Sequence, residues 1–84
     1  MSRLKTTLQK VLSGSRDSSI RFGDLRRVLR SLGFEERIRG DHHVYTRDYV
    51  VEIINLQPRG TLAKPYQVKQ VRRLILKYRL ADAI

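Results

Sequence analysis

Cysteine is absent from this 84-residue chain, which excludes disulfide scaffolding and thiol catalysis by inventory. Histidine is scarce: the two present, with no thiol beside them, are too few for a structural zinc site. No apolar run approaches the roughly 20 residues needed to span a bilayer, and the N-terminus lacks the pattern of a secretory signal. There is no lipidation motif either. These absences lead to the expectation of a cytoplasmic protein with no membrane partner. Acidic residues are also few, 8 against 18 Lys plus Arg, giving a formal charge of +10. Such an excess concentrates polyanions around the chain and speeds encounter, and nucleic acid is the commonest polyanionic partner. No phosphate-binding glycine loop, paired carboxylate site or zinc-finger spacing is found, so neither a metal nor a cofactor is expected.

What is present patterns well. Leu4, Leu8, Val11 and Leu12 recur at helical spacing from Arg3 to Leu12. The run Ser13 to Ser19 interrupts them as a flexible connection, so residues 1–19 read as an accessory helix and linker that pack loosely or serve a partner. A second helix is expected from Phe22 or Gly23 to Leu32. Leu25, Val28, Leu29 and Leu32 form its stripe, Arg26, Arg27 and Arg30 point mostly away, and Gly33 is its C-cap. Three strands follow: Phe34 to Arg39, His42 to Thr46 and Tyr49 to Leu56, with Gly40-Asp41 and Arg47-Asp48 at the turns. Phe34 and Ile38 should face inward. In the third strand both Val51/Ile53 and Val50/Ile54 are apolar, so alternation leaves its core side open. A basic last helix runs from Tyr66 or Gln67 to Tyr78. The fold class is α+β: α-β-β-β-α over residues 20–84, a three-stranded antiparallel meander with both main helices on one face.

Chemistry centres on Gly40-Asp41-His42-His43. Neighbours on a strand point to opposite faces. With Val44 and His42 inward, His43, Tyr45 and Arg47 share the outer face. Imidazole suits proton transfer near neutral pH, and Lys or Arg steady charge developing on a phosphate, so the inventory suffices for cutting RNA. His43 reads either as that group or as a structural strand histidine. Tyr45 reads as a stacking platform for a base or as core packing. Asp41 caps the turn or orients a histidine. Arg37, Arg39, Arg47, Arg59, Lys64, Lys69, Arg72 and Arg73 are candidates to hold an RNA backbone, against the alternative of a solvated basic face.

From Phe22 to Leu80, about 70% of the chain, the sequence resembles the HicA family of bacterial toxins. The resemblance is carried by Leu32-Gly33-Phe34, Gly40-Asp41-His42-His43-Val44-Tyr45, Asn55-Leu56-Gln57 and Lys64-Pro65-Tyr66-Gln67-Val68-Lys69-Gln70-Val71. It implies a fold similar to a double-stranded-RNA-binding domain and metal-free cleavage of mRNA through one histidine, which by position falls on His43. His42, Asp41 and Tyr45 are supporting positions. It further implies a HicB-like antitoxin that covers the active face and an oligomer in that complex. One residue departs from the pattern: Asp41 stands where the family has a small hydroxyl residue. An ionised aspartate cannot donate to phosphate and adds negative charge there, so weaker cleavage is expected than with serine. The alternatives are a non-catalytic RNA-binding module and a docking domain for an acidic protein.

Overall fold

The computed structural model describes residues 3–83. Residues 1, 2 and 84, the outer limits of the two regions read from the sequence, lie outside the described residues. Helix α1 spans Arg3–Ser13 and α2 Phe22–Ser31, with one 3₁₀ turn at Asp17–Ser19 between them. Strands β1 (Glu35–Arg39), β2 (His42–Arg47) and β3 (Val50–Leu56) follow, then α3 (Pro65–Lys77) and a final 3₁₀ turn. The sheet is an antiparallel meander ordered β1-β2-β3. The expected α-β-β-β-α arrangement is therefore the observed one, with bounds within a residue or two.

Local chemistry explains the joints. Gly33 has φ +93, its N–H reaches Arg30 O, and the Phe34 N–H reaches Leu29 O at 3.1 Å. That pair of bonds ends α2 in a left-handed cap and turns the chain directly into β1. Gly40 has φ +58 at the first position of the two-residue turn joining β1 to β2, where a hairpin of this length wants glycine. Pro65 opens α3, where its missing N–H costs nothing. Among the described residues no helix is long and apolar enough to cross a membrane.

Register decides which face of the sheet is covered. Tyr45 pairs with Glu36 on one side and Ile54 on the other, and His43 pairs with Ile38 and Leu56. This parity faces the helices: Tyr45, Ile54 and Leu56 are fully buried with Val28, Leu29, Val68 and Val71. The opposite parity, including Arg37, Arg39, His42, Val51 and Ile53, forms an open face. The ambiguity in β3 thus resolves with Val50 and Ile54 inside, while Val51 stays 87% exposed.

Helix α1 is not loosely attached. Val11 is fully buried, Leu8 nearly so, and both join the one hydrophobic core. Packed chiefly against α2 and α3, α1 is fastened by Arg72, whose guanidinium donates to Val11 O (3.0 Å) and to both Asp17 oxygens (2.9 and 3.2 Å).

Candidate functional site

The placement of the two histidines reverses the expectation. His43 and Tyr45 face inward, and His42 lies on the open face. The physical reason is the helical layer: it covers the face that buries the larger apolar total, and Tyr45 with Ile54 and Leu56 outweighs Val44 with Val51 and Ile53 once register links the strands. Tyr45 is fully buried, so it cannot serve as a stacking platform. Arg47 does not join them on an outer surface either. Its Nε donates to Leu32 O at 2.7 Å, completing the C-terminal cap of α2.

His43 has a specific inner neighbourhood. Its ring meets Phe22 edge-on, with centroids 4.9 Å apart at 72°. Its Nδ1 lies 3.4 Å from Glu36 Oε2. The same carboxylate accepts Nε (2.8 Å) and a terminal nitrogen (3.0 Å) from Arg26 and the hydroxyl hydrogen bond of Tyr45. Arg26 therefore turns inward, not into the solvated face expected for it. These donors, led by Arg26, pull the Glu36 carboxyl from 4.5 down to about 2, so it is ionised at neutral pH. Burial first, and the neighbouring carboxylate next, push the Tyr45 phenol up and keep it protonated. An ionised Glu36 at Nδ1 favours the tautomer with the proton on Nδ1, which leaves Nε2 as the basic nitrogen.

His43 is only 11% exposed at its side chain, yet it lines an open hollow of about 450 Å³. Arg3, Arg21 and Arg27 stand in its wall, along with Phe22, Asp24 and the Pro58–Thr61 loop. Asp24 pairs with Arg3 at 3.1 Å and sits 3.9 Å from Arg27. Phe22 N–H to Thr61 O (2.9 Å) and Ala63 N–H to Ile20 O (2.9 Å) tie the loop to the start of α2 and hold the hollow's two sides together.

His42 has a different setting. Its side chain is 52% exposed beside Asn55, with Nδ1 3.4 Å from Oδ1, and its cross-strand partner is Arg39. Asp41 accepts a 2.7 Å hydrogen bond from Gln57. That bond above all holds its carboxyl below the usual range, so it remains charged.

None of the eight basic residues singled out from the sequence lines the His43 hollow. Arg37 and Arg39 lie on the open sheet face, whereas exposed Lys69 and Arg73 belong to α3, behind the sheet. The expected single face does not form. Arg59 is exposed in its loop, Lys64 is half-buried where α3 begins, and Arg72 and Arg47 are spent on internal bonds. Sequence reasoning missed Glu36, Arg21, Arg27 and Arg3. Glu36 was traceable: it shares strand parity with Ile38 and Phe34, which were expected inside. Among the described residues no three His, Asp or Glu side chains converge as a metal site requires. Comparison of the chain with models of protein families, with curated proteins and with solved structures returns no match in any of the three.

Proposed function

We propose that this chain is a HicA-type endoribonuclease that cuts single-stranded mRNA without metal, His43 transferring the proton. The observation that carries the reading is a carboxylate-held imidazole opening into a hollow walled by three arginines. Glu36 fixes the ring, and Nε2 takes the 2′-hydroxyl proton of RNA. The 2′ oxygen then bonds to phosphorus, the bond from phosphorus to the 5′ oxygen breaks, and that oxygen takes a proton from the imidazolium or from water. Arg21 and Arg27 steady the charge on the phosphate oxygens. A HicB-like antitoxin, assembling with the toxin in an oligomer, would block the same hollow.

A second reading within this class uses His42, because its ring is the exposed one and stands beside Arg39 on the open face. One assay separates the two. Purified protein is incubated with single-stranded RNA in chelator, alongside His43→Gln and His42→Gln, whose circular dichroism is checked first. We expect the His43 variant to lose cleavage and the His42 variant to keep it. The reverse pattern assigns the chemistry to the open face. Salt-sensitive binding without product from the unsubstituted protein leaves a non-catalytic RNA-binding module. Asp41→Ser removes a charged carboxylate from the turn and should raise the cleavage rate.

A further inference from the structure

A second hollow, about 290 Å³, adjoins the first and shares Arg3, Arg21 and Asp24 with it. Its other walls come from α1, including Thr7 and Lys10, and from Ser19 and Ile20 ahead of α2. Among the described residues Ile20 is the single apolar side chain in this lining, so they offer little to a base or a hydrophobic ligand. Its charge is mostly uncommitted. Asp24 pairs with Arg3, while Lys10 and Arg21 have no carboxylate partner among the described residues. Four other cations are each tied to a carboxylate, in Arg26–Glu36, Arg72–Asp17, Lys77–Glu52 and Arg79–Asp82. Free cations around a polar hollow match a phosphodiester backbone, which asks for charge and no apolar cover.

We infer that Arg3, Lys10 and Arg21 form a phosphate track that extends the His43 hollow along α1 and holds the RNA strand beside the cut. The inference rests on the ribonuclease reading and adds to it a role for α1. The helix is both core and substrate platform: its buried side carries Leu8 and Val11, and its exposed side carries Arg3 and Lys10. Arg21 stands in both walls and links the track to the reacting phosphate.

The test is a salt titration of binding to single-stranded 2′-O-methyl RNA, which lacks the nucleophile and stays intact. Each phosphate contact contributes about 0.7 to the slope of log affinity against log salt. Lys10→Gln should make the slope shallower by about 0.7, and Arg3→Gln with Lys10→Gln by about 1.4. Lys5→Gln removes the same charge from an exposed α1 position outside both hollows and should leave the slope near that of the parent protein. These sites are exposed, so circular dichroism should not change. If Lys10→Gln matches Lys5→Gln while the parent still binds and cuts RNA, the track is overturned and the ribonuclease reading stands. A parent protein that neither binds nor cuts RNA removes both. Loss of poly-glutamate binding in the double variant with RNA binding intact would give the groove to an acidic protein segment and overturn the proposal.

Discussion

Replacing Glu36 with glutamine tests the network beneath His43. Glutamine keeps the size and one acceptor oxygen, so burial is preserved while the charge is lost. A carboxyl drawn from 4.5 to about 2 corresponds to about 3 kcal/mol of stabilisation. Solvent reaches the pair through Arg26, whose side chain is 31% exposed, and screening reduces the figure to about 2 kcal/mol. For a domain of this size the melting temperature should fall by roughly 8 to 16 °C. The sign with pH follows from linkage. The folded carboxyl binds its proton less readily than the unfolded one, so its contribution is complete above about pH 4.5 and disappears as pH falls towards 2. Urea unfolding of both proteins at a series of pH values between 2 and 7 measures this. The curves should lie about 2 kcal/mol apart at neutral pH and converge in acid. Parallel curves, or curves superposed at pH 7, would refute the argument. Under the ribonuclease reading the variant should also lose kcat more than it raises KM, because the ring loses its anchor and not its substrate contacts.

Other outcomes follow from the same structure. Tyr49 has φ +69 at the β2–β3 turn and is 94% exposed, so Tyr49→Gly should stabilise the chain by about 1 kcal/mol in urea unfolding, relieving a left-handed conformation at no burial cost. Arg72→Gln should cost about 2 kcal/mol by releasing α1 and Asp17, with little change in the salt slope of RNA binding; a slope change without a stability loss would restore Arg72 as an RNA contact. Gly33→Ala should destabilise by about 1 kcal/mol or more, since φ is +93 and the added Cβ would lie 3.2 Å from Arg47 Nε. Thermal unfolding measures it.

Element order, turns and caps were legible in the chain because each is a local matter. Apolar spacing of three and four, Gly33 after Leu32 and Gly40-Asp41 between two β-rich runs each act within a few residues, and the structure follows them. Which strand face meets the helices is not local. It is set jointly by Tyr45, Ile54 and Leu56 across three strands, and one change of parity sends His43 inward and His42 out. The fates of the cations were equally hidden. Arg26, Arg47 and Arg72 look like their exposed neighbours until the partners Glu36, Leu32 and Asp17 arrive from 10, 15 and 55 residues away. Sequence alone settled a basic α+β chain with a histidine pair just past a turn, because composition and short-range spacing suffice for that. Only the tertiary structure decided which imidazole is buried against Glu36 and which arginines line the hollow beside it, because burial and long-range ion pairing depend on chain segments that meet only on folding.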